Sequence, residues 1–383
     1  RSTSSNNRGR TRRPARSRTP SPSKPTPQTY RTRNLHHANV FVETLPNLPC
    51  AIDNAMREIL GINSWDEQPA VLEQRLDTVA AWYQAESQRN TQNVSIEGDW
   101  KFSLFGLVRQ LSDPSASDLK AHISEKVWNP DLKPKSSLLD NNRDEDSGGT
   151  HTPRLSQTAL PCFSPADAAY AVAGFARPVP YLPPDSDSAA PTTSTEAADP
   201  YHISTPKPDI TVGIAHTGFI PQHQRRLVDH QASGSILSDP HTPDMDIRFP
   251  FLIVETKGLS ANGTLVNAQN QAAVSGASML AILQDLNNQA DWNIRPAIES
   301  ESTTLQKSPR LCFSVVTAGP TNEVCVHFIY LGAFHMHCIR SCRTTHRRDT
   351  REFVHLLDRI FEWGRGVYKS SIVRRLDQVP RCE

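Results

Sequence analysis

Glu255 and Lys257 are the residues whose type and spacing point most directly to chemistry. They close the run Phe249-Pro250-Phe251-Leu252-Ile253-Val254-Glu255-Thr256-Lys257-Gly258, in which five large apolar residues occur without polar alternation. That pattern predicts a strand buried on both faces. Residues i and i+2 of a strand point the same way. The Glu255 carboxylate and Lys257 ammonium therefore emerge together, while Thr256 faces the other side. An acid and a lysine delivered to one face of a buried strand that stops at a glycine could form a catalytic edge. Taken alone, the pair reads as a solvated ion pair at a strand end, so the surrounding elements must decide.

Two further groups could do chemistry. His327, His335, His337, Cys338, Cys342 and His346 include the spacing Cys338-x-x-x-Cys342-x-x-x-His346, which would line one helical face and suit zinc. Residues 329–339 read better as two strands turning at Gly332, which breaks that face; buried thiols and surface histidines explain the cluster more simply. The run Arg340, Arg343, His346, Arg347, Arg348, Arg351 could bind phosphates. Interleaved Asp349, Glu352, Asp358 and Glu362 favour a salt-laced helix for its later part.

The elements that must position these residues follow from periodicity. Helices are expected over 49–60 (Ile52, Met56, Ile59, Leu60, closed by Gly61), 67–89 (Leu72, Leu76, Val79, Ala80, Tyr83, with Pro69 in the first turn) and 99–111 (Trp100, Leu104, Leu107, Val108, Leu111). Residues 118–127 alternate as a half-buried strand. From 129 to 206 the pattern collapses into Pro, Ser, Thr and Asp, which predicts a disordered insertion, with a short helix over 166–175 inside it. Order returns with a strand at 207–215, alternating Ile210, Val212 and Ile214, with Pro208 at its start and Asp209 at its mouth. A helix near 221–232, the 249–257 strand and a small-residue helix over 264–288 come next. Strands at 311–317, 324–331 and 334–339 and a basic helical segment over 351–376, interrupted near Gly364 and Gly366, complete the chain.

Composition sets the outer limits. With 30 Pro, 37% apolar residues and a mean hydropathy of −0.51, much of the 383-residue chain is not core. Residues 1–33 carry ten Arg or Lys and no acid, leaving 31 of the 41 basic residues against all 40 acidic ones. Residues 1–39 therefore read as a disordered basic arm, able to bind phosphate backbones or to act as a nuclear-import address, or else a solubilising tail. Residues 40–376 read as a single domain interrupted by the insertion, and 377–383 as a tail. Seven irregularly spaced cysteines suggest reduced intracellular thiols rather than a disulfide framework. No apolar run reaches membrane-spanning length, so no membrane partner is expected.

The element order helix, strand, strand, strand, helix, strand, with Pro208-Asp209, then Glu255-Thr256-Lys257, then a Gln-bearing helix, resembles the PD-(D/E)XK phosphodiesterase superfamily. In wording it is most similar to a group of fungal nuclease-like proteins, through Trp100-Lys101-Phe102-Ser103-Leu104-Phe105-Gly106, Ser124-Glu125-Lys126-Val127-Trp128-Asn129-Pro130, Lys207-Pro208-Asp209-Ile210-Thr211-Val212-Gly213 and Ala268-Gln269-Asn270-Gln271-Ala272-Ala273-Val274-Ser275-Gly276. The resemblance implies an α/β, restriction-endonuclease-like α-β-β-β-α-β core with a mixed central sheet and extra N- and C-terminal helices. It implies Mg²⁺ or Mn²⁺ held by Asp209, Glu255 and the Thr256 carbonyl, with Lys257 orienting water or stabilising phosphate charge. Gln271, or else Gln269, would contact water or substrate. The implied partner is nucleic acid, DNA before RNA, with Arg340, Arg343, Arg347 and Arg348 as phosphate contacts.

The chain departs from that pattern at two points. The expected first core helix holds no Glu, so only Glu97 just before it or Asp99 at its start could supply a helix carboxylate. Asp209 and Glu255 lie 46 positions apart, so Asp239, Asp244 or Asp246 could compete as second carboxylate. Ser238-Asp239-Pro240 and Thr242-Pro243-Asp244 are turn sequences, however. A hydrolytically silent nuclease fold that binds nucleic acid or protein is the alternative reading.

Overall fold

A computed structural model describes residues 25–65, 73–112, 118–124, 126–135, 201–242, 244–259, 264–292 and 310–380. The basic tract 1–24, the expected helix start at 67–72 including Pro69 and Leu72, and the expected helix at 166–175 lie outside these residues.

Among the described residues, seven strands form one mixed sheet in the order β1-β7-β6-β5-β4-β3-β2. They are β1 (Val40–Val42), β2 (Leu119–Ile123), β3 (Ile210–Ala215), β4 (Ile247–Lys257), β5 (Leu311–Ala318), β6 (Thr321–Tyr330) and β7 (Ala333–Arg343). β4 pairs parallel with β5, and β1 parallel with β7; the other neighbours are antiparallel. The helices are α1 (Pro27–Thr29, continued by π-helical Tyr30–Leu35), α2 (Cys50–Leu60), α3 (Gln74–Gln92), α4 (Glu97–Leu111), α5 (Pro221–Ser233), α6 (Leu265–Trp292), α7 (Arg347–Trp363) and α8 (Lys369–Gln378). A π-helical segment, Gly364–Tyr368, joins α7 to α8 where the glycines predict an interruption.

The apolar run 249–254 behaves as its lack of alternation predicts. Leu252 and Val254 join Phe313, Val315, Val324 and Val326 in a large core with residues of α2, α3, α4 and α7. Ile253 joins Cys312, Val316 and Cys325 in a smaller core beneath the first half of α6. β4 is thus covered on both faces, and α6 can lie close because its facing residues are small. At Gly276 a Cβ would come within 2.0 Å of the His327 ring.

Several boundaries differ from the sequence expectation. Residues 25–39 are not a disordered arm: α1 is ordered by α6, since Arg31 donates through Nε to Asn270 Oδ1 at 2.8 Å and through Nη2 to Gln269 Oε1 at 2.7 Å. Asn270 Nδ2 in turn donates to the Pro27 carbonyl. The expected insertion narrows, because Trp128, Leu132 and Ile203 are buried and Trp128 N–H donates to the Pro206 carbonyl. β7 runs on to Arg343, because its pairing with β6 continues to Thr321. All described residues fall in one compact unit, Arg1–Ser137 with Tyr201–Glu383. Among them no helix is long and apolar enough to cross a membrane.

Candidate active site

The site is built where β3 begins and β4 ends. Asp209 immediately precedes β3, whose first pair, Ile210 with Val254, sets Asp209 beside Glu255. Its backbone N–H donates to the Val254 carbonyl, and its Oδ2 accepts the Thr256 N–H at 2.8 Å. The aspartate is thereby locked onto the strand that carries the other two residues.

Glu255 is 2% exposed. Its Oε1 has no hydrogen-bond partner among the described residues. Burial, and next the Asp209 charge, push its carboxyl well above the ordinary value of 4.5, with Lys257 opposing. A buried carboxylate oxygen without a donor, next to a second carboxylate, is an arrangement that a cation would relieve.

The N-terminus of α4 closes the site. The helix begins at Glu97 rather than at 99, so Glu97 and Asp99 both lie in its first turn, where negative charge favours the helix dipole. Lys257 Nζ lies 3.2 Å from Glu97 Oε1. Lys101, one turn further along α4, places Nζ 3.2 Å from Asp209 Oδ1. This close approach depends on Gly258, where a Cβ would sit 2.6 Å from the Glu97 backbone nitrogen. The glycine that ends the strand signature is what admits the helix terminus.

The sequence candidates therefore separate. Asp209, Glu255, Lys257 and Glu97 come together. Asp99 is exposed in the same helical turn. Asp246 is excluded: it precedes β4 at the opposite end, eleven residues from Lys257, or about 35 Å of extended strand. There it pairs with Lys120. Asp239 is a turn residue, as its sequence suggests. It is buried and accepts the N–H groups of His241, Met245 and Ile247. Asp244 pairs with Arg248.

Of the two glutamines, Gln271 is exposed and Gln269 is buried. Gln269 donates through Nε2 to Glu323 Oε2 at 2.7 Å. Register places Glu255, Val316 and Glu323 in one row on one sheet face, so Gln269 acts two strands from Glu255, about 10 Å away.

The arginines lie at the same end of the sheet as Lys257. Lys257, Ala318, Thr321 and Arg343 share one row, which sets Arg343 three strands away, about 14 Å. Arg343 and Arg348 are exposed. Arg340 is bound to Glu352 at 2.7 Å, and Arg347 lies 3.8 Å from Asp77. The interleaved Glu352 thus offsets one of the four, and Asp77 of α3 a second.

The histidine and cysteine residues do not gather as their spacing would need for a helical zinc site. Cys338 and Cys342 lie in β7, and His346 lies just before α7. His327 is buried and bonded to Ser314 Oγ at 2.8 Å, and burial lowers its pKa to about 3. Burial raises the Cys325 thiol well above its ordinary value, with Cys338 and the Glu323 and Glu43 charges adding to the shift.

Lys101 is the site residue that sequence reasoning does not single out. Its signal is present only in hindsight, as the position four after Glu97 on one helix face.

Residues 186–376 match a family described as a domain of unknown function (DUF7924). That stretch holds Asp209, Glu255 and Lys257, while Glu97 and Lys101 lie outside it. No curated protein and no solved structure matches the chain.

Proposed function

We propose that this chain is a metal-dependent phosphodiesterase of the PD-(D/E)XK type acting on nucleic acid, with DNA the first substrate to test. One observation carries the reading: the orphaned, buried Glu255 oxygen lies beside Asp209 at a strand end where Lys257 and Glu97 also meet. The order α4-β2-β3-β4-α6-β5, with α5 inserted between β3 and β4, β4 and β5 parallel and β2, β3 and β4 antiparallel, supports the restriction-endonuclease-like form of that core.

The residues present fit a hard divalent cation, since two adjacent carboxylates and a backbone carbonyl supply oxygen donors. Asp209, Glu255 and the Thr256 carbonyl would hold Mg²⁺ or Mn²⁺, which supplies a Lewis acid for a phosphoryl oxygen and acidifies water. The chain's own groups do the rest. The Thr256 N–H fixes the Asp209 rotamer. Lys257, held by Glu97, sets its amine at the strand end, where it can bind a non-bridging phosphate oxygen or orient the attacking water. Arg343 and Arg348 extend positive charge along the same sheet end toward a nucleic-acid backbone.

A second reading has its own observation. Lys101 already neutralises Asp209, and an ammonium in that position could replace the cation in a silent fold that only binds nucleic acid.

A cleavage assay on DNA and RNA with Mg²⁺ or Mn²⁺ separates the two. The wild type should cut, and Asp209→Ala, Glu255→Ala and Lys257→Ala should each lose about 10²-fold or more. If the folded wild type binds nucleic acid but cuts neither substrate with either metal, the hydrolytic reading is lost and the silent one stands.

A further inference from the structure

A second group of ligand-type side chains lies under α6, apart from the carboxylates at the end of β4. Ile253, Ser314, Cys325 and Cys338 form one row across β4, β5, β6 and β7. The two thiols are therefore direct cross-strand neighbours on one face. Glu323 lies two residues before Cys325 on that face. The two Sγ atoms and a Glu323 carboxylate oxygen all lie within 4.8 Å of one another.

We propose that Cys325, Cys338 and Glu323 bind a thiophilic divalent cation of the Zn²⁺ class, at a site distinct from Asp209 and Glu255.

Four features of the surroundings support this. The donor set is two sulfurs and one carboxylate oxygen, which suits borderline-soft Zn²⁺ and not Mg²⁺. The donors are held by an outer layer of hydrogen bonds. Glu323 Oε2 accepts from Gln269 Nε2, and Gln269 Oε1 accepts from Arg31 Nη2, both at 2.7 Å. The Cys338 N–H donates to the Glu43 carboxylate. Such second-layer contacts orient ligands and tune metal affinity. Access also fits, since Cys325 is buried while Cys338 and Glu323 are half-buried, leaving a route from solvent. Finally, the charges can balance. The two thiols release their protons to solvent as two sulfur–metal bonds form, with no change of oxidation state. The Arg31 guanidinium, held by Gln269, offsets the surplus negative charge.

Tetrahedral zinc with sulfur at about 2.3 Å needs ligand atoms somewhat under 4 Å apart. The cluster must therefore contract by less than about 1 Å, which side-chain torsions can supply. Its distance from the first site, two strand spacings or about 10 Å from Glu255, makes the two separable by mutation.

The test is a Co²⁺ titration of the full chain under reducing conditions, followed by the thiolate-to-cobalt charge-transfer absorption and then by Zn²⁺ competition. The wild type should develop the band to a stoichiometric end point, and Zn²⁺ should bleach it. Cys338→Ser should lose the band, Glu323→Gln should weaken binding by about tenfold or more, and Asp209→Asn should leave it unchanged. Circular dichroism checks that each variant is folded. The proposal fails if reduced, folded wild type shows no band, or if the band survives in Cys338→Ser. It also fails if the thiols of the purified chain prove to be joined as a disulfide and the reduced chain takes up no metal. None of these outcomes depends on nuclease activity, so the two proposals stand or fall separately.

Discussion

Replacing Glu255 by Gln should make the metal-free protein more stable at neutral pH. The carboxyl is 2% exposed and is shifted well above 4.5, first by burial and then by the neighbouring Asp209 charge. A folded-state pKa above the unfolded one means that the native state holds the proton more tightly. Stability therefore falls as pH rises from the unfolded value of 4.5 toward the folded one. Each pH unit crossed in that window costs about 1.4 kcal/mol, so the cost by pH 7 is at most about 3.5 kcal/mol. The neutral Gln does not carry this cost. Thermal melts of wild type and Glu255→Gln, run in chelator from pH 4 to 8, should show the variant melting higher at pH 7 and the difference closing near pH 4.5. Adding Mn²⁺ should reverse the order. A cation at about 1,000 times its Kd stabilises the wild type by about 4.1 kcal/mol, or roughly 8–16 °C, and the variant far less. A variant that melts below the wild type at neutral pH without metal, or a gap that does not shrink toward pH 4.5, would refute the reasoning.

Two further predictions concern the elements that hold the sites. Gly258→Ala should lower cleavage more than stability, because its Cβ would push Glu97 and the α4 terminus away from Lys257; kcat measured beside a urea midpoint checks this, and an unchanged kcat counts against it. His327 is buried in its neutral form with a pKa lowered to about 3. Its contribution is fully present above its unfolded value of 6.5 and falls by about 1.4 kcal/mol per unit as pH drops toward 3. Urea unfolding of His327→Gln should therefore show a shallower loss of stability between pH 6.5 and 4 than the wild type.

How much of this was legible in the sequence depends on where each residue's order comes from. β4 could be read directly because burial on both faces leaves a run without alternation, and the two-residue period then sends Glu255 and Lys257 out together. β3 was legible for a similar reason, with alternation and Pro208 setting Asp209 at its mouth. α1 was not, because a short basic segment has little local reason to be helical. Its order comes from Asn270 and Gln269, more than 230 positions away in sequence. The two glutamines are two residues, hence about 200°, apart on α6, so one must face the sheet and the other solvent. Nothing in their local composition says which. Arg340 and Arg343 were drawn into β7 by register with β6, which no window on β7 alone contains.

The candidate site has the same division within it. Glu97 could be named as a substitute for a helix carboxylate, but Lys101 looked like any solvent-facing lysine on an amphipathic helix, and its partner is set by how α4 meets the sheet. Gly258 is the harder case. As a sequence signal it marks only the end of a strand. In the fold it acts through the side chain it lacks, since the helix terminus carrying Glu97 and Lys101 occupies the space a Cβ would need. Pattern analysis finds residues that make bonds. It finds a residue that makes room only after the neighbour it admits is known, and here that neighbour, the N-terminus of α4, brings two of the five charged groups of the site.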